Sequence, residues 1–506
     1  MIKKLTYILL LVASISYSQS TVLFSSYCSG CQGNATTALQ NAFNAMSNGD
    51  TFEFDTDSTL TYLIGSSAIN VPRSGTYNFH NALIRKSNGA TAQYGDFYFS
   101  ANYMLINDFS YDGNKDNVVD SGSGFGVMSA IALNTGQGHV WTNFSIINTR
   151  QMAFAGNTLT GVVRFIDGYY ENIGEHVNYF AEVASGANLL WSGIYCKNFA
   201  TADENFNASR NVEFTKIPSG ASSETATFKF ENLTFEQTYP TAAQAVYPML
   251  KSNTIFEGEI WDNIEFTANS QNIWGLYLTE EPVTLTIRNS NFRKNEIFYG
   301  TVNRQGGNTD NYCANCDGHE IGNVVNIENT TASLNRVSTG VNSWIGGTMY
   351  LSKPWYGDTR MKRNFTSDVL FECLDIVLDG NKFEYYDFSG NVTFNGCNFT
   401  VSSGTSGFDM GDNSGGTGTI RIKNSTINVP SATLFKNSYG GTINFISENT
   451  NTITSGTLTG SGFNSVTTNV ASTGGVDCGV DPPVDPPVAP PTPVTGSNNY
   501  IFLIGN

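Results

Sequence analysis

The segment Gly174-Glu175-His176-Val177-Asn178-Tyr179 carries two side chains suited to proton transfer. An imidazole and a phenol three positions apart can serve as general base and general acid for one substrate. Beside the carboxylate of a uronic acid, such a pair supports β-elimination. The alternative is structural, with His176 capping a turn and Tyr179 packing against its neighbours.

A charged segment further along supplies the other groups that β-elimination needs. Arg210 and Lys216 are candidate bases, or positive charges opposite a substrate carboxylate. Calcium, which prefers oxygen ligands, is the candidate cofactor. Its candidate ligands are Asp203, Glu204 and Asn205. The competing interpretation is a solvated loop, because charged loops often have no chemical role.

A glycoside hydrolase would instead need two carboxyl groups, and Glu257-Gly258-Glu259 provides one such pair. Alternate side chains of a β-strand point to the same face. Two positions along a strand are roughly 7 Å apart, which suits an inverting hydrolase. A solvated strand face is the other interpretation of Glu257 and Glu259.

The densest mixture of aromatic and basic residues falls in the segment 344–363, which we interpret as a long loop. Aromatic rings stack on sugar faces, and basic side chains pair with carboxylate or sulfate. The candidate substrate-binding residues are Trp344, Tyr350, Lys353, Trp355, Tyr356, Arg360, Lys362 and Arg363. They predict a contact surface for an anionic polysaccharide, with a self-packed loop cluster as the alternative.

The elements that must position these residues are indicated by a recurring pattern of apolar residues around Asn or Gly. Asn263 precedes Asn289 by 26 residues, and Asn424 precedes Asn449 by 25. The pattern also occurs around Asn143, Gly168, Gly193, Asn232 and Asn329. Asn and Gly tolerate the left-handed backbone of sharp corners. A repeat of this length therefore predicts an all-β solenoid of stacked coils.

A short helix is predicted before the first coil. Ala38, Leu39, Phe43 and Met46 share one helical stripe, and Gly49 ends it. A strand is predicted to follow at residues 51–54. A helix at this point would cover the open end of a solenoid, whose core is otherwise exposed.

The helix begins with Thr-Thr-Ala-Leu-Gln at residues 36–40, followed by a Gly and a β-run. In this motif the chain resembles the pectate-lyase-like right-handed β-helix superfamily, and the repeat pattern extends the resemblance over about residues 34–470. The resemblance implies a right-handed parallel β-helix with an N-terminal capping helix. It leaves function open, because that superfamily includes lyases, hydrolases, epimerases, adhesins and phage spikes.

The two ends of the chain differ in composition from the repeat region. Residues 1–20 have a charged start, an apolar run and small residues, the pattern of a secretory signal peptide. We therefore expect a secreted or cell-surface protein with no membrane span after signal removal. The β-helix domain is assigned to residues 21–475, a Pro-rich linker to 476–494 and a short tail to 495–506.

The charge and the cysteines limit the partners and the compartment. A formal net charge of -17, with 26 Lys and Arg, argues against nucleic acid as a partner. Eight cysteines in an exported chain can form disulfides. The candidates are Cys28 with Cys31, Cys313 with Cys316, and Cys373 with Cys397 as a disulfide or as stacked thiols. A zinc site made from the two Cys-x-x-Cys pairs is disfavoured by their separation in sequence.

Taken together, these features predict a secreted polysaccharide-degrading enzyme that acts on an anionic glycan. A lyase is favoured over a glycoside hydrolase. The alternative is a non-catalytic glycan-binding or adhesin-type surface protein, and a phage-type tailspike is disfavoured by the signal peptide. The sequence leaves the sugar, the linkage and the oligomeric state open.

Overall fold

The computed structural model describes most of the repeat region and neither extreme end of the chain. It describes residues 19–91, 94–119, 129–199, 214–216, 226–236, 249–250, 253–257, 260–262, 277–278, 284–288, 291–296, 324–333, 343–352, 359–364, 368–379, 383–403, 407–410, 416–438 and 440–478. Most of the predicted signal peptide, most of the Pro-rich linker and all of the predicted tail lie outside these residues.

The described residues form a parallel β-solenoid of about 10 turns. Most strands belong to one large sheet that wraps around two sides of each coil. Its strands are Thr21–Leu23, Asp50–Glu53, Thr61–Ile64, Gly75–Asn78, Leu83–Lys86, Met104–Asn107, Ser110–Asp112, His139–Ile147, Val162–Ile173, Asn188–Ser192, Tyr195–Phe199, Thr227–Glu231, Thr234–Glu236, Asn253–Glu257, Ile260–Asp262, Thr284–Arg288, Asn291–Glu296, Val324–Ser333, Ser343–Ser352, Thr359–Asn364, Val369–Glu372, Asp375–Asp379, Phe383–Asn395, Asn398–Ser403, Phe408–Met410, Thr417–Lys423, Thr426–Lys436, Thr442–Glu448, Thr452–Thr459 and Ser465–Val470.

A second sheet of six strands closes the coils of the N-terminal half. Its strands are Ile69–Val71, Tyr94–Phe99, Ser129–Gln137, Met152–Thr160, Asn178–Val183 and Thr215–Lys216. Met249–Leu250 and Tyr277–Leu278 form a separate two-stranded sheet. The helical elements among the described residues are the α-helix Thr36–Ala45 and the 3₁₀ turns Phe24–Ser26, Cys31–Gly33 and Lys115–Asn117.

The strand register repeats once per coil, and each pairing between named strands of the described residues is parallel. Trp141 pairs with Phe165, and Phe165 pairs with Trp191, so one coil takes 24 and the next 26 residues. These lengths match the repeat seen in the sequence. The prediction of an all-β parallel β-helix is confirmed, and the architecture is compatible with the right-handed form.

The core is a column of side chains that stack from coil to coil. Trp141, Phe165, Trp191 and Phe230 occupy equivalent positions, and each is fully buried. The rings of Phe165 and Trp191 stack at 5.4 Å, and those of Trp191 and Phe230 at 4.9 Å. Burial of aromatic side chains supplies much of the stabilisation of such a core. Each coil therefore depends on its neighbours for the burial of its inward face.

One line of corners is built from residues in the left-handed conformation. Asp108, Asn143, Asp167, Gly193 and Asn232 occupy equivalent corners and have φ angles of 57°, 50°, 52°, 64° and 54°. The side-chain amide of Asn143 donates to Oδ1 of Asp108 at 2.6 Å. Short side chains that bond to a neighbouring coil make this strained backbone acceptable.

The corner predicted at Gly168 lies one residue earlier, at Asp167. Gly168 is instead the first residue of the next side of the coil, where it pairs with Phe144. A Cβ atom at Gly168 would lie 2.3 Å from the ring of Phe144. Gly168 is thus required for packing space, and Asp167 makes the turn.

A second line of corners carries an asparagine ladder. Asn148, Asn172 and Asn198 have φ angles of 51°, 54° and 54°. The amide of Asn172 donates to Oδ1 of Asn148 at 3.1 Å, and the amide of Asn148 donates to Oδ1 of Asp112 at 3.1 Å. The side chains thereby link successive coils outside the backbone sheet.

The helix Thr36–Ala45 packs over the first coils, in the position expected of a cap. Leu39 and Phe43 are fully buried on its predicted stripe. The ring of Phe43 lies 4.9 Å from that of Phe52 and 5.7 Å from that of Tyr77. The helix thus covers aromatic side chains at the N-terminal end of the core.

Residues 471–478, here called the strap, run back from the last described strand across earlier coils. The backbone N–H and the hydroxyl of Thr473 donate to the buried carboxylate of Glu448 at 3.0 Å and 2.7 Å. The side-chain amide of Asn424, one coil earlier, donates to the carbonyl of Gly474 at 3.0 Å. The strap therefore contacts successive coils from the outside.

A disulfide between Cys478 and Cys373 anchors the strap, which corrects the predicted pairing of Cys373 with Cys397. Cys373 occupies a corner with a φ of 53°, and its counterpart on the next coil is Gly396. Cys397 comes one residue after that corner, points inward as a free thiol and is fully buried. The two cysteines are thus one position out of register.

The predicted Cys28–Cys31 disulfide is confirmed. Cys313 and Cys316 lie outside the described residues.

The corner geometry predicts different penalties for two substitutions of Asn143. Asn143→Gly keeps the left-handed backbone and loses the bond to Asp108, so we expect a loss of about 1 kcal/mol. Asn143→Ala also strains the backbone, so we expect about 2 kcal/mol in total. Urea unfolding followed by circular dichroism measures both. Equal losses would mean that the left-handed corner contributes no strain at this position.

The strap predicts that its disulfide stabilises the solenoid. Cys373→Ser combined with Cys478→Ser opens a covalent loop with a sequence separation of 105, so we expect a loss of about 2–4 kcal/mol. The matched control is Cys28→Ser with Cys31→Ser, whose separation is 3 and whose loss should be smaller. Differential scanning calorimetry compares the two. An unchanged midpoint in the Cys373–Cys478 variant would contradict the prediction.

Candidate functional site

The outer surface of the six-stranded sheet carries a line of equivalent residues on consecutive coils. Tyr98 pairs with Ala132, Ala132 with Ala155, and Ala155 with Tyr179. Their neighbours along the strands, such as Phe97 and Phe180, point into the core and are fully buried. Tyr98 and Tyr179 are partly exposed and stand three strand spacings apart, about 14 Å.

A strand irregularity brings a third tyrosine onto this surface. The register shifts between Ser129 and Ile131, and Gly95 approaches so closely that its Cβ would lie 2.5 Å from that of Ala132. Tyr94, beside it, is 42 % exposed. Burial raises the pKa of Tyr94, and the nearby phenols of Tyr98 and Tyr179 raise it to a smaller extent. We call the surface formed by Tyr94, Tyr98 and Tyr179 the tyrosine face.

Polar side chains extend the tyrosine face along the strands. The amide of Asn157 donates to Oδ1 of Asn134 at 3.3 Å, across two neighbouring strands. The hydroxyl of Thr158 donates to Oε2 of Glu182 at 3.2 Å. Aromatic rings beside amide and hydroxyl groups are the chemistry that contacts both the faces and the hydroxyls of sugars.

The turn that carries His176 lies at one edge of this surface. The backbone N–H of Gly174 donates to the carbonyl of Thr149, and that of Glu175 to the carbonyl of Gln151, at 3.0 Å and 2.8 Å. The His176 side chain is buried, and its Nε2 lies 3.9 Å from Oε1 of Glu175. These bonds fix the turn on the preceding coil.

The structure brings together three of the predicted catalytic residues. The ring centroids of His176 and Tyr179 are 6.0 Å apart. Lys216 is the register partner of Tyr179 on the next strand, so their backbones are adjacent. A carboxylate, Glu175, completes the group. The sequence anticipated His176, Tyr179 and Lys216, whereas Glu175 was passed over because a lone acid in a turn has no distinctive spacing.

The predicted hydrolase pair is not part of this group. Glu257 ends the strand Asn253–Glu257 of the large sheet, where it pairs with Glu231 and Arg288. That sheet forms different sides of the coil from the six-stranded sheet. Glu259 lies outside the described residues.

The segment 344–363 is mostly strand, which corrects its interpretation as a long loop. Ser343–Ser352 and Thr359–Asn364 are both strands of the large sheet. Trp344 is fully buried in the core, and its indole N–H donates to the carbonyl of Gly346 at 3.2 Å. Its ring therefore packs inside the solenoid and does not present a face to a polymer. The predicted binding residues within the two strands are Tyr350, Arg360, Lys362 and Arg363.

The remaining predicted site residues fall outside the described part of the chain. They are Asp203, Glu204, Asn205, Arg210, Lys353, Trp355 and Tyr356. The calcium ligands among them thus stay a prediction. Within the described ranges, no group of three or more His, Cys, Asp or Glu residues is arranged to hold a metal ion.

The coil architecture defines the chain as a parallel β-helix protein. No protein-family model matches the sequence, and no curated protein is significantly similar to it. The resemblance to the pectate-lyase-like superfamily therefore depends on the cap motif and on the fold. In the described part of the chain, no helix combines the length and the apolar character needed to cross a membrane.

The close contact of the His176 turn with the preceding coil predicts that Gly174 cannot be enlarged. In Gly174→Ala the new Cβ would lie 1.9 Å from the carbonyl oxygen of Arg150, so we expect a loss of about 1–3 kcal/mol. Gly33→Ala is the control, because nothing lies within 4 Å of its Cβ position. Thermal unfolding measures both. A Gly174→Ala variant as stable as the control would mean that the turn can move away freely.

Proposed function

We propose that the protein binds an anionic polysaccharide along the tyrosine face and cleaves it by β-elimination. The observation that carries the proposal is the grouping of His176, Tyr179 and the backbone of Lys216 at one edge of that face. Proton donors and acceptors must lie close together beside the bound chain for general acid–base catalysis. The tyrosines beside the group offer surfaces on which sugar rings stack.

The proposed step transfers one proton from the substrate to His176 and one proton from Tyr179 to the leaving oxygen. His176 accepts the proton from the ring carbon next to the uronate carboxylate, and the electron pair of that C–H bond forms a carbon–carbon double bond. The bond to the glycosidic oxygen on the neighbouring carbon then breaks. Tyr179 donates its proton to that oxygen, which leaves as a hydroxyl group. Lys216 is the alternative base.

Positive charge beside the carboxylate would assist this step, because it makes the adjacent proton more acidic. Calcium held by Asp203, Glu204 and Asn205 is the proposed source, together with Arg210. The proposed location is extracellular, at or beyond the cell surface. The Cys28–Cys31 and Cys373–Cys478 disulfides fit an oxidising compartment.

A second candidate is a glycan-binding protein without catalytic activity. It is favoured by the burial of His176 and Glu175, both of which are about 5–6 % exposed. A general base must reach the proton that it removes, within hydrogen-bond distance or through one water. The tyrosine face, which is partly exposed, needs no such access to bind a polymer.

The proposal predicts an unsaturated product and a strong dependence on the Tyr179 hydroxyl. Incubation with a panel of anionic polysaccharides, with and without calcium, should raise both the ultraviolet absorbance of the new double bond and the number of reducing ends. Tyr179→Phe should lower the rate by about 100-fold or more, because it removes the proton donor. Tyr103→Phe, at an exposed tyrosine away from the site, is the matched control.

Other outcomes have distinct meanings. New reducing ends without the absorbance change would indicate hydrolysis and overturn the lyase mechanism. If no cleavage occurs but Tyr94→Ala weakens polysaccharide binding about 10-fold, the binding protein is the correct alternative. An absence of both binding and cleavage across the panel would overturn both candidates.

A further inference from the structure

A polar crevice lies beside the His176 turn and is distinct from the predicted site. It spans three consecutive coils, and its cavity volume is about 20 Å³. Its polar lining includes Lys86, Asp96, Tyr111, Ser129, Arg150 and Gln151. The carbonyl of Gln151 accepts the hydrogen bond from Glu175 on the next coil. The crevice thus adjoins the edge of the tyrosine face.

A buried ion pair forms the wall of this crevice. The ammonium of Lys86 contacts one oxygen of Asp96, and the hydroxyl of Tyr111 donates to the other oxygen. All three side chains are at least nine-tenths buried. Burial raises the pKa of Asp96, and the contacts with Lys86 and Tyr111 oppose that shift. Buried pairs of this kind contribute little net stability compared with apolar side chains, so stability alone does not account for the cluster.

Two polar groups of the crevice, Lys86 and Ser129, have unused hydrogen-bond donors. Lys86 carries three N–H groups, of which the contact with Asp96 uses one. The hydroxyl oxygen of Ser129 is buried and has no hydrogen-bond partner, although an unpaired buried hydroxyl normally costs about 1–3 kcal/mol. Both groups line the same space. The crevice therefore offers hydrogen bonds to an acceptor that the described residues do not supply.

We infer that the crevice binds a carboxylate group, with one oxygen accepting from Lys86 and the other from Ser129. Asp96 balances the charge of Lys86, so Arg150 leaves the lining with one net positive charge, which favours an anion over a neutral acceptor. The rest of the lining includes Val118, Ala130 and Met152, which offer no side-chain donors. A sulfate would leave further oxygens against these apolar groups, whereas a carboxylate has only two oxygens to satisfy.

Because the crevice adjoins the tyrosine face, we assign the carboxylate to a uronate residue of the bound polymer. This assignment depends on the proposed function. Tyr94 of the tyrosine face pairs with Ser129, and Ser129 pairs with Met152. A sugar stacked near Tyr94 would therefore lie one strand from the unpaired hydroxyl. The crevice would fix the register of the chain relative to His176 and Tyr179.

The test is calorimetric titration of the full-length protein with three small probes. Galacturonate and galactose share the sugar ring and differ in the carboxylate, and acetate carries the carboxylate alone. We expect galacturonate to bind and galactose to show no measurable binding. Ser129→Ala should weaken galacturonate about 10-fold, a change of about 1.4 kcal/mol. Ser145→Ala, at a buried serine that does not line the crevice, should leave it within 2-fold of the wild type.

The outcomes separate this inference from the proposed function. Equal binding of galactose and galacturonate, or an unchanged affinity in Ser129→Ala, would overturn the carboxylate site even if the polymer is cleaved. Binding of acetate as tight as that of galacturonate would support the site and assign it to free acids, which overturns the uronate source. Galacturonate binding that depends on Ser129, without any polymer binding, would support the site and contradict the proposed function.

Discussion

The structure depends on the hydrogen bonding of each coil to the next in a fixed parallel register. Because equivalent residues lie directly above one another, the aromatic side chains of Trp141, Phe165 and Trp191 form one continuous column. The same register aligns polar residues at the corners, where Asn172 bonds to Asn148. Extra residues in one coil are therefore accommodated outside the corners. The aromatic column and the corner asparagines then remain aligned with those of the neighbouring coils.

Register also explains how distant parts of the sequence reach the candidate site. Tyr98 and Tyr179 are 81 residues apart, yet they occupy the same position on coils of one sheet. The crevice similarly unites Lys86, Ser129 and Arg150 from three coils. A solenoid thus builds a site by stacking, and neighbouring coils each contribute one or two side chains. This arrangement suits a polymeric ligand, because the contacts repeat along the axis of the protein.

The sequence predicted the features that depend on local structure. The capping helix, the coil length and the left-handed corners at Asn143, Asn232 and Asn424 all follow from residue types and spacing. The proximity of His176 to Tyr179 was predictable for the same reason, since they share one turn and strand. Trp344 was misassigned to a polymer-binding loop together with its aromatic and basic neighbours, although strand alternation buries it. Tyr94 and Ser129 escaped notice because only the register between coils brings them to a surface or a cavity.

The strap gives the C-terminal coils an unusual response to mechanical tension. The disulfide between Cys373 and Cys478 closes a covalent loop that contains every coil between them. A pulling force applied beyond Cys478 passes through the sulfur–sulfur bond to the backbone at Cys373. The intervening residues carry none of that load and cannot be extended while the bond is intact. Under such a force the coils before Cys373 would bear the strain, and those after it would remain folded as a shielded module.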